Sequence, residues 1–373
     1  MIYLDNAATS FPKPACVGRA MAGALTACGA NPGRAGHRLA LAAGRIVEGC
    51  REELAAMLGE TDASRIAFCQ NATDALNTAI HGVLRTGDHA VATLLEHNSV
   101  LRPLSELSRS GAITLTLVPP DDTGRIRAAD IERAVTKRTR LVVMTHMSNV
   151  LGFVQDVAAV GEVCARHGAI LLVDCAQTAG HLPLTPIPWR ASMVAMPGHK
   201  GLLGPHGTGA LWVKTGIQLA PLRQGGTGSA SESMFQPRMM PDALESGTLN
   251  LPGIAGLRAG MKEALARRQE AHARMLELCG FMREALLSLQ GVRVYTQKGA
   301  SLLSFNVGGV ASQEAASVLD TEGIAVRGGL HCAPGVHRFL GTLETGAVRV
   351  SPGLYSTMED AKALVRAVEK IAR

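Results

Sequence analysis

An alternation constrains this chain more than any other feature. Through the first 215 residues, short β-rich apolar runs are separated by stretches whose apolar residues recur at helical spacing. The runs are Arg65–Cys69, His89–Leu94, Ile113–Val118, Arg140–Thr145, Ala169–Val173, Met193–Met196 and Thr208–Val213. Between them lie patterns such as Ala75, Leu76, Ala79, Ile80, Val83 and Leu84, or Val157, Val160, Val163 and Cys164. A strand, a covering helix and a parallel return strand bury both faces of such runs. The pattern therefore predicts an α/β fold with a mostly parallel seven-stranded sheet and ligands at the carboxyl ends of its strands. After Leu251-Pro252-Gly253 the texture changes. A long helical stretch to about Leu289 precedes strands at Val292–Thr296 and Leu302–Val307, a helix at Gln313–Glu322 and a short strand near Ile324–Val326. A glycine-rich loop, a strand at Ala347–Val350 and a helix from about Thr357 follow. This predicts a large domain ending at residue 250 and a smaller α+β domain over 251–373. Leu222–Gly247 has no clear period and is expected to form a long ordered loop.

Composition narrows the function classes. Hydrophobic residues make up 47% and charged residues 18% of the 373, as in a packed enzyme and unlike a disordered chain. The net charge of +6 raises nucleic acid as a partner. The densest basic cluster, Arg133, Lys137, Arg138 and Arg140, instead falls at a predicted helix end, and no aromatic residues interleave with it, so nucleic-acid binding is not expected. The longest apolar runs are strand-sized, and the start MIYLDNAATS lacks a secretory pattern, so neither a membrane span nor export is expected and the setting is read as cytoplasmic. The eight cysteines include no CxxC pair. No metal site is therefore expected, and most should be free, buried thiols.

The chemistry concentrates at strand ends. The run AILLVDCAQ ends a buried-type strand in Asp174, and Lys200 follows the next strand in MPGHKG, 26 positions on. A lysine amine and a carboxylate so placed are what pyridoxal phosphate needs, the amine for its aldehyde and the acid to keep its ring nitrogen protonated. Asp174 as a turn cap and Lys200 as a solvated loop lysine are the plain alternatives. In CQNATDALN a strand passes into a helix whose first-turn N–H groups suit a phosphate. His97, in LLEHNSV, could lie over a planar ring, and His199 could donate to a phosphate.

Ten segments in order resemble the class V aminotransferase family, and within it the second, SufS-like group of cysteine desulfurases and selenocysteine lyases. They are YLDNAATSFPKP, NPGRAGHR, QNATDALN, LLEHNSV, HMSNVLG, LLVDCAQTAGHLPL, PGHKGLLGP, ESGTLN, GIAVRGGLHCAPG and VRVSPGLYST. The resemblance implies fold type I of the pyridoxal phosphate-dependent transferases, with residues 1–15 packing near the active site and 16–250 as the cofactor domain. It implies that Lys200 holds pyridoxal 5'-phosphate and moves the substrate's α-proton. Asp174 would pair with the ring nitrogen, Gln177 with the ring oxygen, and His97 would stack on the ring. Ala72, Thr73 and His199 would hold the phosphate, joined by Gly247 and Thr248 of the neighbouring subunit in a homodimer with shared sites. Asn149 and Arg349 would face the substrate, assisted by Arg327.

Cys332 decides the reaction that is implied. It lies in RGGLHCAPG between the two candidate carboxylate-binding arginines, where positive charge would favour its thiolate. L-cysteine would be converted to L-alanine with sulfur passing to Cys332 as a persulfide. The 17 positions from Cys332 to Arg349 leave a short loop, as in the second group, whose turnover would depend on a sulfur-acceptor protein. L-selenocysteine cleavage, or a non-catalytic sulfur-trafficking scaffold of the same fold, are the alternatives. Pro197 departs from the pattern, because many relatives carry a phosphate-binding hydroxyl there.

Overall fold

The structure is a computed structural model that describes residues 1–32 and 36–373. The middle of the NPGRAGHR segment lies outside the described residues. The chain enters through strand β1 (Ile2–Tyr3) and helices α1 (Ala15–Ala27) and α2 (Arg38–Met57). Strands and helices then alternate: β2 (Ile66–Cys69), α3 (Ala72–Val83), β3 (His89–Thr93), α4 (Asn98–Arg109), β4 (Thr114–Val118), α5 (Ala128–Ala134), β5 (Thr139–Thr145), α6 (Val157–His167), β6 (Ile170–Asp174), β7 (Met193–Pro197) and β8 (Gly209–Val213). An irregular stretch, as expected for 222–247, leads to α7 (Leu251–Ala266) and α8 (Arg268–Leu287). Then come β9 (Val292–Val294), β10 (Leu303–Val307), α9 (Ser312–Thr321), β11 (Ile324–Ala325), β12 (Arg327–Gly329), α10 (Pro334–Leu340), β13 (Ala347–Val350) and α11 (Met358–Ala372).

The seven expected strands form one sheet in the order β2-β8-β7-β6-β5-β3-β4. Only β8 runs against its neighbours. Every residue of β6, β7 and β8 is buried, because helices cover both faces. On one face α3 and α4 contribute Leu76, Ile80, Val100 and Leu104. On the other, α2, α6 and α7 contribute Leu54, Val160, Ile254 and Leu257. A second, antiparallel sheet, β12-β13-β10-β9, packs Phe305, Val348 and Val350 against Met282, Leu319 and Leu364 of α8, α9 and α11.

Three expectations shift. The helical stretch from 251 to 289 is two helices that part at Arg267. Their apolar faces serve different cores, so the hydrophobic clusters divide one helix later than the expected division at 250. The glycine-rich loop contains β12, since Gly328 and Gly329 still pair with Val348 and Ala347. The N-terminal strand joins the smaller unit, with Ile2 and Tyr3 paired parallel to Ile324 and Ala325 and Leu4 buried in its core.

The two loops that leave β6 and β7 meet backbone to backbone. A Cβ on Gly201 would overlap the carbonyl oxygen of Ala179, and one on Gly180, whose φ is +86°, would overlap that of Gly201. Two glycines thus let the segment after Asp174 and the segment carrying Lys200 lie in contact. Gly201→Ala should destabilise the protein by about 1–3 kcal/mol, because backbone cannot yield as a side chain can. Gly18→Ala, in α1 with open space around it, should be neutral or slightly stabilising. Urea unfolding of both variants measures the contrast.

Candidate active site

One cavity of about 290 Å³ opens at the carboxyl edge of the large sheet. Ala72, Thr73, His97, Asn149, Asp174, Gln177, His199, Lys200, Arg327 and Arg349 all line it. Sequence positions from 72 to 349 therefore converge on one hollow.

Asp174 is the last residue of β6, side by side with Thr145 and Ala195 on the flanking strands. Its buried carboxylate accepts a hydrogen bond from the Ala176 N–H at 2.8 Å. Burial raises its pKa, with that N–H and Lys200 opposing. Lys200 follows β7, and full burial lowers the pKa of its amine from 10.5 to about 8; Arg349 and Arg327 push the same way and Asp174 opposes. An amine that sheds its proton more readily than an ordinary lysine and a buried carboxyl thus share a water-poor space.

At the start of α3, the Asn71 side chain caps the helix by accepting from the Asp74 N–H at 2.9 Å. The N–H groups of Ala72 and Thr73 are left to an outside acceptor, and the helix dipole favours a negative one. His199 lies beside them in the lining, its Nδ1 buried without a protein partner and its ring stacked on His206 at 5.1 Å. Burial lowers its pKa to about 3. Pro197 lines the same hollow and offers no donor.

His97 caps α4, its Nδ1 accepting from the Ser99 N–H at 3.1 Å. That bond puts the ring proton on Nε2. Burial, then Lys200 and the arginines, lower its pKa to about 4, so the ring is neutral near pH 7. Gln177 donates from Nε2 to the Ala7 carbonyl at 3.1 Å.

Arg349 and Arg327 stand directly opposite each other on β13 and β12. Arg349 is only 1% exposed; its Nη2 donates to Asp5 at 2.7 Å, its Nη1 to the Asn149 carbonyl at 3.3 Å, and its Nε is buried without a partner. Two cations abreast, only one of them paired with a carboxylate and with a donor to spare, make a seat for a further anion. Asp5 was not singled out by sequence reasoning, although it stands in the quoted YLDNAAT segment, because its partner lies 344 positions away.

Gly247, Thr248 and Cys332 lie outside this lining. Thr248 lines a separate cavity of about 150 Å³ beside Gln70 and Glu245. Cys332 sits on the four-residue loop between β12 and α10, and it is the exposed member of the eight cysteines. The loop is held tightly. The Asn149 side chain donates to the His331 carbonyl and the Asn98 N–H to the Cys332 carbonyl, both at 2.7 Å. His331 and Cys332 both adopt left-handed φ, +50° and +55°, a costly pair of conformations for residues with side chains.

A sequence model of the family described as Aminotransferase class-V matches residues 2–364. The chain belongs to this family. Among its curated relatives, a probable cysteine desulfurase of Methanothermobacter thermautotrophicus is 37% identical over 383 residues, covering 100% of this chain and 94% of the relative. One from Halalkalibacterium halodurans is 34% identical over 382 residues, covering 99% and 93%. Among solved structures, a cysteine desulfurase from Thermococcus onnurineus NA1 superposes with a TM-score of 0.92 at 32% identity, covering 100% of this chain and 94% of that one. The cysteine desulfurase CsdA (S-sulfonic acid) from Escherichia coli gives 0.90 at 29%, covering 99% and 94%. The fold is accordingly that of the type I pyridoxal phosphate-dependent enzymes, as the resemblance implied.

The residues present fit that cofactor. An orphaned buried His199 nitrogen and an open helix start lie toward one end, a buried carboxyl at the end of β6, and an amine of lowered pKa between the two loops. Burying Lys200 also costs stability. Below pH 8 the amine is protonated in both folded and unfolded chains, and the folded state carries the full penalty, on the order of 3 kcal/mol. Between pH 8 and 10.5 the unfolded chain holds the extra proton and the penalty fades. Lys200→Met should therefore raise the Tm of cofactor-free protein at pH 7, with the gain shrinking toward pH 10.5, as calorimetry across that range would record.

Proposed function

We propose that this protein is a pyridoxal phosphate-dependent cysteine desulfurase that converts L-cysteine to L-alanine and takes the sulfur onto Cys332 as a persulfide. The observation that carries this reading is the exposed thiol on a pinned loop beside a cavity that already holds Lys200, Asp174 and paired arginines. The other cysteines suit the role poorly. Burial pushes the thiols of Cys50 and Cys164 up to about 12, which keeps them protonated. The relatives named as cysteine desulfurases span nearly the whole chain, which supports the same activity here.

Asp174 would hold the cofactor's ring nitrogen, Gln177 its ring oxygen, His97 its ring face, and Ala72, Thr73 and His199 its phosphate. When bound, pyridoxal phosphate supplies a sink for the electrons of the substrate's α-carbon bonds. Arg349, with Arg327 and Asn149 beside it, seats the substrate carboxylate and so orients the α C–H bond toward Lys200. Lys200, whose lowered pKa eases the loss of its own proton, accepts the α-proton in its unprotonated form. His97 carries a proton on Nε2 that it can lend and recover. The Cys332 thiolate attacks the substrate sulfur, and the S–S bond forms as the C–S bond breaks. The C–S electron pair passes to Cβ, which takes up a proton, and Lys200 returns a proton to Cα to complete alanine. The thiol thus becomes a persulfide with no external oxidant. A neighbouring protomer would add Gly247 and Thr248 at the phosphate. Met234, Phe235 and Met239, exposed by 98%, 85% and 79% in the segment just before them, support such a partner surface. A sulfur-acceptor protein would unload the persulfide.

Wild-type protein should release alanine and, with reductant, sulfide from L-cysteine, and Cys332→Ala should cut both rates at least about 100-fold. Undiminished cysteine turnover in Cys332→Ala would exclude the persulfide route.

A further inference from the structure

The carbonyl oxygen of His199 is crowded with donors, all from residues 9–13. It accepts from the Thr9 hydroxyl at 3.0 Å, the Ser10 N–H at 3.1 Å and the Lys13 ammonium at 2.6 Å, with the Ser10 hydroxyl at 3.2 Å. The Lys13 ammonium also donates to the Ser10 oxygen at 2.7 Å, and that hydroxyl lies 2.9 Å from the Lys200 carbonyl. With its lone pair engaged by Lys13, the Ser10 hydroxyl is free to turn its hydrogen toward Lys200. The peptide groups on both sides of Lys200 are therefore held by one short segment.

A neutral donor could cap a carbonyl, yet this one receives a half-buried cation. Lys13 makes no ion pair with a carboxylate among the described residues, and burial lowers its pKa to about 8. Withdrawing an unpaired ammonium from water is unfavourable unless its bonds are strong, and a bond from a charged donor is roughly twice as strong as a neutral one. The Lys200 side chain is long, so its amine is placed only as well as its backbone is.

We propose that Lys13 is a positioning residue for Lys200: with Thr9 and Ser10 it fixes the peptide planes on both sides of Lys200 and so sets where that amine stands. The proposal rests on Lys200 being the residue that carries the cofactor.

Full-length wild type, Lys13→Met, Lys13→Arg and Ser10→Ala, each purified with pyridoxal 5'-phosphate, test it through three readouts. These are the absorbance of bound cofactor, amide hydrogen exchange in the peptide spanning 198–204, and kcat and KM for L-cysteine. In Lys13→Met, exchange should quicken and kcat should fall, each at least about tenfold, while KM stays within about twofold. Lys13→Arg should recover most of both, and Ser10→Ala should show a smaller change of the same sign. Should Lys13→Met not fold, Ser10→Ala carries the test on the same readouts. Wild-type exchange and kcat in Lys13→Met, a change in KM alone, or Lys13→Arg as impaired as Lys13→Met would overturn the role. Absence of cofactor absorbance in wild type would instead overturn the functional reading, and exchange would still judge Lys13.

Discussion

The pair between buried Arg349 and half-buried Asp5 is the contact on which the rest of the architecture depends. Arg349 belongs to the small sheet, Asp5 to the N-terminal segment, and the third group on the guanidinium, the Asn149 carbonyl, to the large unit. Three parts of the chain meet at one side chain, inside the cavity. Removing Asp5 would strand the Arg349 guanidinium away from water, a loss of up to about 3–5 kcal/mol. The same guanidinium is the group proposed to seat the substrate carboxylate, so in that reading one residue would serve as both joint and recognition element.

Charge in the cavity follows from that arrangement. Lys200 and Arg349 are buried in this space, where little water remains to screen them, and Arg327 stands at its exposed rim. Burial first, and then the same cations, lower the pKa of His97 to about 4 and of His331 to about 3, so both stay neutral. The hollow thus carries its positive charge on groups that keep it, while its imidazoles remain available to exchange protons. A ligand with two anionic ends matches this distribution.

Much of this was readable from sequence, for local reasons. The strands of the large sheet are buried on both faces, so they stand out as short apolar runs, and the residues at their ends, Asp174 and Lys200, are marked by position alone. The boundary between the cores was not readable, because the α7–α8 join at Arg267 carries neither glycine nor proline and one amphipathic pattern runs through it. Asp5 and Lys13 escaped because what defines them is a partner 344 or 186 positions away. Gly247 and Thr248 come from the family resemblance alone, as residues of a second subunit; neither lines the cavity that holds Lys200.

The parallel pairing of Ile2 with Ile324 and Tyr3 with Ala325 has a consequence in the order of synthesis. Ile2 and Tyr3 cannot find their place until Ile324 and Ala325 have left the ribosome, and Asp5 waits longer still, for Arg349 and Ser351. Residues 174 to 200 are by then long complete, and the large sheet can already be paired. The pocket is therefore closed by segments made far apart in time, and a growing chain holds Lys200 before it can form the Arg349–Asp5 pair.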